Sequence, residues 1–357
     1  MTSLLERIGI SVPIVQAPMA GGPDTPELAA AVSNAGGLGS IGCAYLSARQ
    51  IDEAAAAVRA RTSAPFALNL FVRADVPPDA DAQARAEPIV RAFRRELGLD
   101  EPPASAPPAS DSFDAQLEAV LRAQPRVFSF TFGAPAREQV RALHDRSIVA
   151  IGTATTVEEA EALEAIGVDA ICAQGAEAGG HRGTFLGRFE DGLVGILPLV
   201  RQIAARMHVP VLAAGGIMDG AAIAAMLTLG ASAVQLGTAF LLCPEAGTSA
   251  PYRAALRSPA AQRTVVTRAF SGRAARGIRN RFTDAFENEQ AAPFPFQQQL
   301  TRELRAEATR QGRADLMQLW AGQAAPLARA MPAAELMKTL MAELEAARAS
   351  SSGGPLH

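Results

Sequence analysis

The stretch VLAAGGIMDGAAIAAMLTLGASAVQLGT, residues 211–238, decides the reading of the fold. It opens on an apolar run, Val211–Ala214, turns at Gly215-Gly216, passes through a helix-compatible segment from Ala221 to Leu229, and returns as a second apolar run, Ala233–Leu236, ending at Gly237-Thr238. Short apolar runs without alternation fit strands buried on both faces, as in parallel sheets covered by helices.

The same unit recurs toward the N-terminus. Further apolar runs lie at Ile14–Gln16, Leu38–Ile41, Phe66–Leu70, Val127–Thr131, Ile148–Ile151 and Ala170–Ala173. Helical stretches fit between them at Ser47–Arg61, Ala136–Asp145, Val157–Ile166 and Leu197–Arg206, and another starts at Thr25-Pro26-Glu27, where an N-cap precedes a first-turn proline, and ends near Asn34. Eight strands alternating with helices predict an α/β fold, a (β/α)8 TIM barrel, over residues 1–242. Two segments exceed a minimal barrel. Residues 73–124 form an insertion after strand three, with helices near Ala82–Leu97 and Phe113–Leu121 and a proline-rich, mobile loop between them, Glu101–Asp111. Residues 243–331 are expected to form a mostly helical cap, and residues 332–357 a final helix near Ala333–Arg348 with a disordered tail.

Composition narrows the chemistry. The chain has 357 residues, a net charge of −3 and 49% hydrophobic residues. That balance argues against nucleic acid as a partner. Lys338 is the single lysine, so Schiff-base chemistry on a barrel strand is not expected. Cys43, Cys172 and Cys243 are far apart and odd in number, which fits a reducing, cytoplasmic setting rather than a disulfide framework. No apolar run approaches the roughly 18 residues of a membrane span, and the N-terminus lacks the pattern of a signal peptide.

Active sites of such barrels lie at the C-terminal ends of the strands. Gly215, Gly216, Gly237 and Thr238 follow strands seven and eight, where barrels commonly seat a phosphate on backbone N–H groups and a helix N-terminus. The strand-six exit reads AQGAEAGGHRG, residues 173–183, with Gln174 at the strand end and His181 flanked by glycines. A histidine so placed can serve as acid or base, whereas His144 and His208 read as structural. Asn69 interrupts an apolar strand and needs hydrogen-bond partners, from a cofactor or from a neighbouring loop. Gly37–Gly42 matches GxGxxG, but it follows a helix and contains a strand, so it is not a dinucleotide fingerprint. Cys172 is read as packing inside the barrel rather than as a nucleophile paired with His181. No spacing of His, Asp or Glu suggests a metal site.

Taken together, PIVQAPMAGG, NAGGLGSIG, FALNLF, AQGAEAGGHRG, AAGGIMDG and VQLGTAFL, in order from Pro13 to Leu241, resemble the nitronate monooxygenase family. The resemblance implies FMN as cofactor, with its phosphate on Gly215, Gly216, Gly237 and Thr238. It places Asn69, Gln174, Gly179, Gly180, Gln235 and Leu236 at the cofactor, Met19 beside the flavin ring, and His181 as the catalytic residue. The implied reaction is oxidation of alkyl nitronates by O2 to a carbonyl compound and nitrite, on a small-molecule substrate, by a monomer or homodimer. Some relatives carry YPxxYxxxK after strand eight; here Phe294, Gln298 and Arg302 stand at those positions, so Gln298 is expected near the substrate. The same scaffold and loop also resemble FMN-dependent NAD(P)H reductases of quinones or enoyl thioesters. A non-catalytic flavin-binding module and a flavin-free sugar-phosphate barrel are further alternatives.

Overall fold

The computed structural model describes residues 2–72, 79–100, 111–286 and 290–352. Most of the expected mobile loop, residues 101–110, and the last residues of the tail, 353–357, lie outside the described residues.

Eight parallel strands build the barrel: β1 (Ile14–Gln16), β2 (Gly39–Gly42), β3 (Phe66–Phe71), β4 (Val127–Thr131), β5 (Val149–Ala154), β6 (Ala170–Gln174), β7 (Val211–Ala214) and β8 (Ala233–Leu236). Each pairs in parallel with its sequence neighbour from β2 through β8, and β8 pairs with β1. A parallel bridge between Val15 and Leu38 closes the ring. Neighbouring side chains along each strand point to opposite faces. Val15, Ala67, Val127, Val149, Ile151, Ala170, Cys172, Leu212 and Ala233 fill the interior, and the short N-terminal helix Leu4–Ile8 closes its base with Leu4 and Ile8. The alternate residues Ile14, Leu68, Phe128, Ile171, Val211 and Val234 pack outward against the helices. The same pleat, carried one step toward the strand ends, turns Asn69, Gln174 and Gln235 inward at the top of the barrel.

The expected insertion divides between two layers. Its second helix, Phe113–Ala123, is an ordinary barrel helix: Leu117, Val120 and Leu121 belong to the barrel core, and the helix lies on the helix Ala48–Arg59. Its first helix, Ala80–Glu96, belongs to the cap, where Ala82, Ala86, Val90 and Phe93 share a second core with Phe270, Phe282, Phe296 and Leu304. Arg94 in this helix reaches Glu303 at 2.8 Å.

The region after β8 is not simply helical. It contains the helices Ala250–Arg257, Phe296–Leu300 and Arg302–Arg310, but also an antiparallel hairpin, Thr264–Thr267 with Ala275–Ile278. The cause is local: TVVT is β-branched throughout, which favours a pleated strand over a helix. The final helix, Ala333–Ser352, returns to the barrel. Its Leu336, Met337, Leu340 and Leu344 join the barrel core against the helices Pro26–Asn34 and Gly220–Thr228. Each fully buried leucine of this kind contributes about 1.5–3 kcal/mol. Among the described residues, no helix is long and apolar enough to cross a membrane.

Candidate active site

A cavity of about 510 Å³ opens at the C-terminal end of the barrel. Its floor is the top layer of inward-facing strand residues, Asn69, Thr131, Thr153, Gln174, Ala214 and Gln235. Its walls include Met19, Gly179, Gly180, His181, Gly215, Gly216, Leu236, Gly237 and Thr238. Every residue expected at the cofactor, and His181, therefore meets in one place.

The two glycines that follow β7 are required by geometry. Gly215 and Gly216 have φ of +123° and +70°, and a Cβ on Gly215 would stand 3.0 Å from the backbone nitrogen of Ala178. Only glycine adopts such angles without cost. The Thr238 hydroxyl accepts the N–H of Gly322 at 3.0 Å, which leaves its own proton to donate. The helix that follows, Gly220–Thr228, departs from expectation. Two of its first N–H groups are already taken, Gly220 N by Glu343 at 3.0 Å and Ala222 N by Asp219 at 2.8 Å. A phosphate here would rest on the glycine turns and Thr238, not on that helix end.

The floor polar groups divide in their duties. Asn69 donates to the Ser129 hydroxyl at 2.9 Å, which satisfies part of a buried amide. Gln174 is a staple as well as a wall residue: its Oε1 accepts from Gly183 N at 2.8 Å and its Nε2 donates to the His181 carbonyl at 3.0 Å. It thereby holds both sides of the glycine-rich turn. Arg182, fully buried, reaches the carbonyls of Gly175, Gln174 and Gly192 at 2.6, 2.9 and 3.0 Å and locks the same loop.

His181 owes its position to the cap. Gly180 and His181 pair as an added strand with Arg276 and Ala275 of the hairpin. The turn of that hairpin presents Ser271, whose Oγ lies 2.8 Å from His181 Nε2. Phe71, Phe132 and Trp320 surround the imidazole, with ring centroids 6.1, 5.7 and 5.5 Å away. Burial, then the charges of Arg273 and Arg305, push the His181 pKa down to about 3, so the ring is neutral. Phe132 holds a left-handed backbone, φ +76°, costly for an aromatic residue, and carries the Arg273 guanidinium 3.8 Å above its ring.

Several residues at the site carry no sequence signal. Asp24 accepts from Met19 N at 2.5 Å, Gly42 N at 2.8 Å and Gln16 Nε2 at 2.9 Å, and so shapes the loop that carries Met19. Burial pushes its pKa up to about 7 against the pull of those three donors. Arg305, Tyr45 and Trp320 line the cavity, and so does Arg302, which the sequence places at a position of the YPxxYxxxK pattern. Gln298 is not among the residues lining the cavity; its backbone carbonyl accepts from Arg305 at 3.0 Å, and its side-chain Oε1 is buried without a partner among the described residues. Phe294 packs toward Phe132, with ring centroids 6.4 Å apart.

Cys172 lies on the cavity but burial pushes its pKa up to about 12, which keeps it a thiol, and all three cysteines are free and buried. His144 and His208 face Asp169 and Glu164 at 3.0 and 3.5 Å on the outer surface. No group of three or more metal-binding side chains occurs among the described residues.

Comparison with known proteins agrees with this geometry. The family model described as nitronate monooxygenase matches residues 2–343. A nitronate monooxygenase from Pseudomonas aeruginosa is 47% identical over 356 residues, covering 96% of this chain and 99% of that protein. One from Paraburkholderia phytofirmans is 43% identical over 349 residues, covering 96% and 95%. The crystal structure of a nitroalkane oxidase from Streptomyces ansochromogenes superposes with a TM-score of 0.90 at 41% identity, covering 96% of this chain and 98% of that one. With likeness running through barrel, cap and final helix alike, the chain belongs to the nitronate monooxygenase family of flavin-dependent oxidoreductases.

Proposed function

We propose that the protein binds FMN in this cavity and oxidises alkyl nitronates with O2 to a carbonyl compound and nitrite. The observation that carries the reading is the neutral His181 imidazole, held by Ser271 on the wall of a cavity that is also lined by a glycine cradle. The fit to FMN rests on that cradle. Gly215, Gly216, Gly237 and Thr238 offer close-approach backbone and a free hydroxyl proton for a phosphate. Asn69, Gln174, Gly179, Gly180, Gln235 and Leu236 would flank a planar ring system, with Met19 beside it. When bound, FMN supplies the one- and two-electron chemistry that the side chains lack.

The chain's own residues do the rest. His181 orients the nitronate, or takes a proton from a neutral nitroalkane, through the ring nitrogen that Ser271 leaves free. Phe71, Phe132 and Trp320 pack around the ring and lower the polarity of its surroundings, which strengthens the local electrostatics. A small substrate and O2 are the partners. We assign the protein to a reducing cytoplasm, where three buried thiols persist, as a monomer or homodimer.

The test is spectroscopic. The purified protein is mixed anaerobically with propyl-2-nitronate, NADH and NADPH in separate cuvettes. Flavin bands reduced by the nitronate alone support the reading. Rapid bleaching by a nicotinamide with the nitronate inert would move the protein to the reductases, and absence of flavin bands after adding FMN would end the proposal.

A further inference from the structure

We propose that Arg305 is the cationic anchor that grips the nitro oxygens of the substrate anion. The inference rests on the nitronate reading and names the residue that recognises the substrate's charge. Arg305 sits on the helix Arg302–Arg310, and its side chain lines the cavity. Its three nitrogens are held in place by neutral acceptors only: Nε by Thr301 Oγ1 at 3.1 Å, Nη1 by Gln318 Oε1 at 2.8 Å and Nη2 by the Gln298 carbonyl at 3.0 Å. A guanidinium has five N–H donors. One on each Nη is thus left for something else.

No carboxylate among the described residues forms an ion pair with Arg305, whereas Arg7, Arg94, Arg313 and Arg329 all have one. None of the described residues lining the cavity is Asp or Glu. A cation withdrawn from water is costly unless an anion meets it. Here the fold orients the guanidinium and leaves donors open, and the described residues supply no counter-charge, in the same cavity as His181. A nitronate carries its charge on two oxygens of a planar group, the shape to which a rigid guanidinium fork is complementary. Arg302, on the same wall, is exposed, and its charge is accordingly screened. Arg305 is the half-buried one, and its field reaches the His181 ring.

The oxidised holoenzyme is titrated with butanoate, an inert planar anion, and with butyramide, its neutral counterpart, while the flavin spectrum is read. In Arg305→Gln, butanoate affinity is expected to fall at least about tenfold with butyramide within about twofold, and Arg305→Lys to recover part of the loss. In turnover, KM for ethyl nitronate rises by a similar factor with kcat changed much less. Equal weakening of acid and amide, no weakening of either, or a loss of FMN affinity in the variant would overturn the assignment. Failure of the wild type to oxidise any nitronate would sink the functional reading instead, and the butanoate comparison would still decide the role of Arg305.

Discussion

His181 Nε2 stands 2.8 Å from Ser271 Oγ, and Ser271 sends its single hydroxyl proton to the Arg273 carbonyl at 3.1 Å. With that proton committed, the bond to His181 needs its hydrogen from Nε2. That arrangement predicts the Nε2–H tautomer, with the lone pair on Nδ1. The residue that fixes it lies in a hairpin turn 90 positions further along the chain.

Ser271→Ala removes the acceptor and frees the ring to flip or change tautomer. kcat/KM for nitronate oxidation is expected to fall about tenfold, or roughly 1.4 kcal/mol, while Ser271→Thr keeps most of the activity. Nitrogen NMR of the imidazole gives the independent check: a single Nε2–H form in the wild type, a mixture in the alanine variant. An unchanged tautomer ratio would contradict the assignment.

The pH dependence of stability contains two opposed contributions. His181 has a folded pKa near 3 against an ordinary 6.5, so the unfolded chain binds its proton first and stability falls as pH drops from 6.5 toward 3. Asp24 runs the other way. Its folded pKa near 7 lies above the ordinary 3.8, so its contribution is complete below 3.8 and is lost as pH rises toward 7. Asp24→Asn removes the second contribution only. The destabilisation caused by this substitution is therefore expected to shrink as pH rises from 4 to 7, measured as urea midpoints; a gap that widens instead would show that the three N–H donors hold Asp24 ionised.

Backbone approach at the proposed FMN site is tested by Gly215→Ala, at the phosphate cradle, and Gly179→Ala, beside the ring. A Cβ on Gly179 would stand 2.5 Å from Gly322 N and 2.6 Å from the Ala321 carbonyl carbon, forcing the strand-six loop off the cap. A Cβ on Gly215 combines left-handed strain with the 3.0 Å approach to Ala178. Both variants are expected to purify with little flavin and to bind added FMN at least about tenfold more weakly by fluorescence quenching, since distorted site geometry of about 1 Å is costly. Retention of stoichiometric flavin would refute the cradle.

Glu159 is fully buried and accepts from Thr155 N at 2.6 Å, Thr155 Oγ1 at 2.7 Å and Leu186 N at 2.9 Å, and from Phe185 N as well. It ties the chain just past His181 to the helix Val157–Ile166. Glu159→Gln turns an amide N–H₂ toward donors, and unfolding free energy is expected to drop by about 2–4 kcal/mol in urea titrations. A drop below about 0.5 kcal/mol would mean that the loop is held elsewhere.

Most of the barrel was legible because its signals are local. β1, β4, β7 and β8 coincide with the apolar runs read from sequence, and the helix Val157–Ile166 matches residue for residue. The cap was less so. TVVT and ARGI are four-residue strands with no long period to announce them, and the insertion's first helix shows its partner only through contacts with segments some two hundred residues away. Arg305 was missed for a related reason: spacing alone does not say which residues of two consecutive short helices line a cavity, and here Arg302 and Arg305 do.

By itself the sequence determined an eight-stranded barrel and the ring of residues at its mouth. A strand repeats every two residues and opens its active end at its last residue, so Asn69, Gln174, Gln235 and the glycine turns could be placed from neighbours alone. Only the tertiary structure decided what controls that mouth. Ser271 against His181, Asp24 under the Met19 loop, Glu343 on the helix after β7 and Arg305 without a counter-ion among the described residues are pairings, or missing pairings, between distant segments. Each is set by how cap and final helix pack on the barrel, and no local period along the chain records that packing.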